Sequence, residues 1–414
     1  MDVLISGAGL GGLSAAGIEA RVIDAARELW ALGVGINILP SATRELVELG
    51  LSDELAAIGI PTRELIYCDR FGSRISGEPR GLAAGYRWPQ YSINRGELQM
   101  MLLHAVRQRL GADAVRTGLA LERFENSDVG VSVELRDRRT GRLVIESAGM
   151  LIGADGINSA VRAQLHPNEG PPIWNGIHLW RGLTDTEPFL DGRTMIVSGA
   201  NPTVVAYPVS RTAEQRGRSA VNWGVAARLG QSTQAPLGDW HHLGGLGDVL
   251  PHVADRSFDW LDVPTLIRAA SRIWEYPMVD RNPLPHWGTG QVSLLGDAAH
   301  PMYPFGSNGG TQAIIDGRVL AWELARADDP VAGLAAYEDA RREPMNALVM
   351  SNRRGGPERI VQLVEQRAPN GFTRVDDVIT SDELDSIAQR YRQTAGFDVE
   401  TVNAAPSWDV ARRA

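Results

Sequence analysis

The feature that most restricts this chain's fold lies at its start. Val3 to Ser6 form an apolar run, Gly7-Ala8-Gly9-Leu10-Gly11-Gly12 follows, and a second apolar stretch over residues 20–23 ends at Asp24. Two buried strands joined by a helix must lie parallel, because the crossover returns the chain to the same end of the sheet. The G-x-G-x-x-G turn adds chemistry to that geometry. Its glycines permit a tight turn and a close backbone approach to a pyrophosphate, at a helix N-terminus whose dipole favours the anion. An acid ending the second strand suits ribose hydroxyls. The order predicts a dinucleotide-binding unit. One departure stands out: Asp24 follows Gly12 by 12 residues, where about 20 are usual. The crossover helix expected over residues 10–16 is then about 10 Å long at the ordinary helical rise. The missing length is close to two turns, which leaves the helix facing the same way.

A second stretch repeats the strand-end logic. Val292 to Leu295 read as a buried strand ending in Gly296-Asp297, followed by a Pro- and Gly-rich loop through Tyr303, Pro304, Phe305, Gly306, Asn308, Gly309 and Gly310. A helix follows with Ala313, Gly317, Leu320 and Leu324 on its apolar face. Ordering so many glycines is entropically costly, and what they allow is close backbone approach to a ligand. A carboxylate beside free helix N–H groups suggests an acceptor for ribityl hydroxyls and a donor cradle for a flavin; a surface loop capping a helix is the plainer alternative. A third unit runs from a strand at Met150 to Ile152 into Gly153-Ala154-Asp155-Gly156 and a helix. There, an Asx or Ser N-cap is a sufficient structural explanation.

Between these units lie a glycine-bearing loop, Leu32-Gly33-Val34-Gly35-Ile36-Asn37, and a helix expected from Ser41, acting as N-cap, to Leu49. Another helix is expected over residues 97–110, with Arg95 at its start as a phosphate or ribityl contact or a solvated surface group. Strict alternation at Val129, Val131, Val133 and Leu135, then at Leu143 and Ile145, predicts an antiparallel hairpin. From about residue 171 to 274 the chain is rich in tryptophan and β-branched residues, and polar–apolar alternation appears over 194–198, 204–209 and 220–226. That predicts an inserted antiparallel sheet, with two helical patches near 246–254 and 264–270 and a return strand from Ile273 to Met278. After Arg341 the chain is expected to be helical, with helices over Glu358–Gln366 and Ser381–Tyr391 separated by a Pro-Asn-Gly turn, and to fray at its polar end.

Composition removes several function classes. The net charge of −9 gives no electrostatic case for nucleic acid or an anionic membrane surface. The chain of 414 residues contains no lysine, which excludes a Schiff-base lysine and a P-loop. One cysteine, Cys68, excludes an internal disulfide and a thiolate cluster and fits a reducing cytoplasm. No apolar run is long enough to span a bilayer. The histidines, including His241-His242, show no metal-ligand spacing, and no G-x-S-x-G supports a serine hydrolase.

Taken together, Gly7–Gly12, Arg95, Gly153-Ala154-Asp155-Gly156 and Gly296-Asp297-Ala298-Ala299-His300-Pro301 resemble the single-component, class A FAD-dependent aromatic monooxygenases of the p-hydroxybenzoate hydroxylase fold. The resemblance runs from Val3 to about Asn352. Within the family it is most similar to the phenazine-carboxylate hydroxylases, on Gly33 to Ile38, Pro89-Gln90-Tyr91-Ser92-Ile93, Tyr276-Pro277-Met278-Val279-Asp280-Arg281 and Pro285-His286-Trp287-Gly288. It implies an α/β fold: a Rossmann-like FAD-binding domain (1–60, 92–170, 275–352), a substrate domain containing the inserted antiparallel sheet (61–91, 171–274) and a helical C-terminal segment (353–414). FAD contacts are implied for Gly7, Gly9, Leu10, Gly12, Asp24, Val34, Gly35, Arg95, Asp155, Gly156, Gly296, Asp297, Gly306, Asn308, Gly309 and Gly310. The implied activity is hydroxylation of a phenazine- or salicylate-like aromatic, with or without decarboxylation, through a flavin C4a-hydroperoxide, with NAD(P)H as a transient co-substrate and O2 as oxidant. No catalytic residue beyond the flavin is required, and Tyr303, Pro304 and Phe305 would lie beside it. Both monomer and homodimer are compatible.

Candidate substrate contacts are Arg181, Met195, Tyr207 and Trp223. Arg181 suits a substrate carboxylate or an ordinary surface ion pair, and the other three suit a pocket or plain core. His300 is expected to shape its loop rather than titrate in catalysis. Two rival readings remain: a flavin reductase or dehydrogenase without oxygen insertion, and an FAD-poor homologue kept as a scaffold, motivated by the short first helix.

Overall fold

The computed structural model describes residues 2–15, 20–31, 33–230 and 242–410. The expected helix end at Ala16, the loop start at Leu32, and His241 lie outside the described residues.

The first sheet is parallel, and it assembles the three strand-end motifs side by side. Strand Val3–Ser6 is flanked by Ala20–Asp24 on one side and Met150–Gly153 on the other. Val292–Leu294 continues the sheet beyond Met150–Gly153, and Val115–Thr117 closes the edge beyond Ala20–Asp24. Strands covered on both faces must be apolar throughout, and Val3–Ser6 and Met150–Gly153 are buried at every position. Consequently Gly7, Asp155 and Asp297 all issue from the same end of one sheet, where ligands bind in open α/β folds. Helix Leu10–Ala15 lies in front of that end, entirely buried, and helix Asn308–Arg326 packs across it.

The second large sheet has seven strands and carries most of the inserted segment. It includes Thr194–Ser198, Thr203–Pro208 and Ser219–Arg228, within a residue or two of the alternation in the sequence. It is antiparallel except where Thr194–Ser198 pairs in parallel with Glu64–Cys68. Its longest strand, Ile173–Thr186, gave no period-two signal. The reason is a bulge: Gly176 turns with φ +83°, and the register against Ile273–Asp280 slips between Trp174 and His178. The two faces of this sheet bury different partners. Trp180, Trp223 and Val225 pack under helices Leu246–Val253 and Val263–Arg268, while Tyr67, Met195 and Tyr207 face helix Arg359–Arg367.

Two local expectations need correction. Ser41 caps nothing: the helix is Pro40–Glu48, with Leu39 at the N-cap and Pro40 at the first helical position. Proline presets φ there and lacks the N–H that would need a partner. The polar tail does not fray where it is described. Helix Val399–Ala404 buries Val402, the Pro406 carbonyl accepts from Arg44, and Trp408 meets Trp322 edge-on with ring centres 6.0 Å apart. Among the described residues, no helix is long and apolar enough to cross a membrane.

Candidate functional site

The glycine turn is built by steric necessity. Gly7 has φ +113°, and a Cβ there would lie 2.2 Å from the Ala154 carbonyl oxygen of the neighbouring strand end. A Cβ on Gly12 would lie 2.0 Å from the Gly7 oxygen, so the helix can close onto the turn only at glycine. At Gly9 a Cβ would meet no protein atom within 4 Å. Its bare backbone borders open space, as a pyrophosphate cradle requires. Gln99 Nε2 donates to the Ala8 carbonyl at 2.7 Å and steadies the loop. Asp24 accepts from the Ala8 and Ala26 N–H groups, both at 2.8 Å. Each carboxylate oxygen has a second acceptor position, which leaves room for ribose hydroxyls.

Asp297 lies at the centre of the cleft. Its side chain is open to solvent, yet protein crowding raises its carboxyl pKa above the ordinary range, while His300 and Arg95 pull it down. A solvent-open carboxylate so enclosed by protein marks a deep hollow. Helix Asn308–Arg326 begins beside it: a Cβ on Gly309 would stand 3.9 Å from Asp297 Oδ1. The preceding Ser307 is in the left-handed region with φ 60°, and no side chain caps the helix. Its first N–H groups therefore remain available to a ligand. Arg95 begins helix Arg95–Leu110, which Asn94 caps, and its backbone N–H donates to the Val34 carbonyl at 2.8 Å. Gly310 sits where a Cβ would be 2.5 Å from Ile36 Cδ1, against the Val34–Gly35 loop. Asp155 Oδ2 accepts from the Ala160 N–H at 2.9 Å, Ser159 is the N-cap, and Asp155 Oδ1 is buried with no partner. Gly156 turns with φ +78° and has open space where a Cβ would be.

Behind the cleft, a buried ion network fixes the Gly296-Asp297 turn. Asp316 accepts from the Gly296 N–H at 3.1 Å and from Arg341 Nε at 2.7 Å, and lies 2.5 Å from His300 Nε2. Burial alone would raise its pKa, but His300 and Arg341 outweigh that and hold it at about 2. His300 is buried and engaged in this network, as a shaping residue would be.

The Pro- and Gly-rich loop divides its roles. Tyr303 is buried and turns its hydroxyl to Asp280, which Arg353 grips at 2.6 and 3.0 Å. Tyr303 is thus a loop anchor. Pro304 is exposed, and Phe305 lines a small cavity with Glu358 and Arg228. Gly306, with φ +65°, is pressed against Tyr391, a residue whose hydroxyl lies 2.8 Å from both Asn308 Nδ2 and Asn352 Oδ1.

Across the cleft, Arg181 donates to the Gly35 carbonyl and lies 3.3 Å from the Tyr276 hydroxyl. Tyr207 hydrogen-bonds it as well, and Asn222 accepts from the Gly35 N–H at 2.6 Å. Among the described residues, no carboxylate lies within ion-pair reach of Arg181, so the surface-pair reading falls away. Trp223 is a correction. It pairs across strands with Ala206, whereas Tyr207 pairs with Asn222, so strand alternation puts Trp223 on the far face. There its Nε1 donates to Thr184 at 3.1 Å within the core. Met195 shares the Tyr207 face and borders a small void at Gly306 and Ser307. Asn222, Tyr276, Glu358 and Tyr391 were not anticipated. Asn222 alone carried a signal, as a polar residue at an inward position of an alternating strand.

The residues present suit a flavin dinucleotide: an open glycine cradle, an uncapped helix start, an enclosed carboxylate and an orphaned Asp155 oxygen. The comparisons agree. A family described as an FAD binding domain matches residues 1–230 and 258–352. The chain is 49% identical to phenazine 1,6-dicarboxylic acid hydroxylase PhzS of Lysobacter antibioticus, over 85% of this chain and 89% of that protein. It is 32% identical to the aurachin C monooxygenase/isomerase of Stigmatella aurantiaca, over 86% and 89%. Among solved structures, Klebsiella pneumoniae HpxO complexed with FAD and uric acid superposes with a TM-score of 0.73 at 25% identity, covering 94% of this chain and 97% of that one. The chain therefore belongs to the FAD-binding-domain family and, within it, to the class A FAD-dependent monooxygenases of the p-hydroxybenzoate hydroxylase fold.

Proposed function

We propose that this protein hydroxylates an aromatic carboxylate of phenazine size, using NAD(P)H and O2, with FAD held along the cleft from Gly9 to Gly310. The observation that carries the substrate class is Arg181. A guanidinium enclosed by protein normally has an acidic partner; this half-buried one is ringed instead by Tyr207, Tyr276 and Asn222, on the sheet face that meets the Pro- and Gly-rich loop. A substrate carboxylate would complete that set, and the relative at 49% identity is named for a phenazine dicarboxylic acid.

When bound, FAD supplies hydride acceptance and oxygen activation. The chain's own residues supply the rest. Gly7, Gly9, Gly12 and the uncapped start of helix Asn308–Arg326 hold the phosphates and the flavin edge. Asp24 and Asp297 accept from ribose and ribityl hydroxyls, and Arg95 balances the charge opposite Asp297. Arg181 orients the aromatic ring by its carboxylate, with Tyr207 and Tyr276 donating beside it. Met195, Pro304 and Phe305 exclude water. Attack at the carbon bearing the carboxyl group releases carbon dioxide; attack beside it retains the group. No side chain need act as a strong acid or base.

The test is NAD(P)H oxidation by the FAD-loaded protein with phenazine-1-carboxylate, compared with the same ring lacking the carboxyl group. Stimulation with oxygenated product is expected for the acid. In Arg181→Gln, KM for the acid should rise at least about tenfold, equivalent to losing one charge-assisted contact, while FAD stays bound. NAD(P)H oxidation without oxygenated product would overturn the reading in favour of a reductase.

A further inference from the structure

A cavity of about 480 Å³ lies between strand Arg74–Pro79 and helix Ser381–Ala395, the latter outside the residues matched by the FAD-binding family. That volume is in the range of small-molecule sites. Its walls are largely apolar, with Ile75, Tyr86, Leu384, Ala388 and Phe397 among them. Its charge is unevenly placed. Arg80 and Arg392 share a single carboxylate, Glu78, at 2.9 and 3.7 Å. Arg80 Nε is buried with no partner. Asp376 and Asp385 stand at the exposed rim. The inner end is thus lined by two guanidiniums and one carboxylate, with the Asp398 carboxylate facing Arg392 from outside the lining, and the mouth is acidic. An anionic aromatic is therefore favoured with its carboxylate inward and its ring against the apolar wall.

The inner end also leads somewhere. Glu78, Arg80 and Arg392 border the small void that touches Gly306, Ser307 and Met195. That void measures about 20 Å³, space for roughly one water, and it shares Glu78, Arg80 and Arg392 with the cavity, so a neck no larger than a water stands between the cavity and the Pro- and Gly-rich loop. Glu358 borders the neck, and burial lifts its carboxyl to about 7, which limits negative charge there at neutral pH.

We propose that this cavity is a second binding site for the aromatic carboxylate substrate, a waiting position one neck away from the flavin loop, with Arg80 and Arg392 on its carboxylate. This rests on the substrate class proposed above. The experiment titrates the FAD-loaded full chain with phenazine-1-carboxylate, counting equivalents by calorimetry and following the flavin absorbance. Two equivalents are expected, only one of which perturbs the flavin. Leu384→Trp, which fills the cavity from a half-buried position on an outer helix, should abolish the spectrally silent equivalent. Arg392→Gln should weaken it about tenfold and decides the matter should the tryptophan variant fail to fold. A single, flavin-perturbing equivalent in the wild type, or a silent equivalent unchanged by both variants, overturns the waiting site while the functional reading stands. Binding of no equivalent overturns both.

Discussion

Gly7, Gly9 and Gly12 are glycine for different reasons. Gly7 and Gly12 are constrained by the protein itself, through a left-handed backbone at Gly7 and sub-van-der-Waals approaches at both. Gly9 is constrained by nothing the chain provides. Gly7→Ala should cost at least about 2–3 kcal/mol of folding stability, the sum of a left-handed alanine and an overpacked contact. Gly9→Ala should leave the FAD-free protein within about 0.5 kcal/mol of wild type yet weaken FAD binding; chemical denaturation and FAD titration separate the two. Asp316 presents another residue-scale case. With its pKa held at about 2, below the ordinary value near 3.9, it binds fewer protons folded than unfolded. It therefore contributes stability above about pH 4, of order 2 kcal/mol, which disappears as the pH falls through 2. Asp316→Asn should lose about 3–5 kcal/mol at pH 7, because Arg341 is left buried without its carboxylate, and acid unfolding should show a flatter profile. The strand-end turns that carry the motif glycines and Asp297 were legible in the sequence because their spacing has a physical meaning. Trp223 was misread because alternation reveals two faces without saying which one carries the site.

At the scale of elements, the short first helix proves to be an inner helix. All six residues of Leu10–Ala15 are buried, and Gly317 of the long helix lies so close that a Cβ would be 2.7 Å from the Ala15 nitrogen and 3.0 Å from the Gly11 oxygen. Gly317→Ala should force these helices apart at a cost of about 1–3 kcal/mol. It should also weaken FAD binding, since the displaced helix carries the uncapped N-terminus; equilibrium unfolding and FAD titration check both effects. Gly317 was visible as part of an apolar face, but the helix against which it packs was not, because a glycine names a close approach without naming the partner. The strand Ile173–Thr186 shows the converse: its glycine bulge erased a pattern that the pairing then restored.

For the whole molecule, the helices of the C-terminal segment were legible, appearing as Arg359–Arg367 and Ser381–Ala395, but what they pack against was not, since no motif in that segment names a partner. The segment proves to reach back to the Pro- and Gly-rich loop, to Tyr86 and to helix Pro40–Glu48. The Tyr391 hydroxyl donates to the Phe305 carbonyl, the Tyr86 hydroxyl donates to the Phe397 carbonyl, and Ser407 donates to Glu48 at 2.9 Å. Truncation after Ala404 removes the Arg44, Glu48 and Trp322 contacts together. A loss of about 2 kcal/mol is expected, in the range of a lost buried aromatic contact with its hydrogen bonds, along with faster proteolysis near helix Pro40–Glu48; thermal unfolding and limited digestion check this.

The glycine contact between the first helix and the long helix has a wider consequence. The end of the cleft proposed for the pyrophosphate belongs to one helix and the end proposed for the flavin to the other, and the two meet backbone to backbone at Gly11 and Gly317. They therefore act as the two jaws of a calliper with a locked screw. On the proposed placement, swinging one jaw away would break this contact, so adaptation to different substrates would fall to the sheet and the C-terminal helices opposite. Loosening the grip on the cofactor means loosening the centre of the fold, and the yellow colour of the protein becomes an inherent gauge of whether that centre is intact.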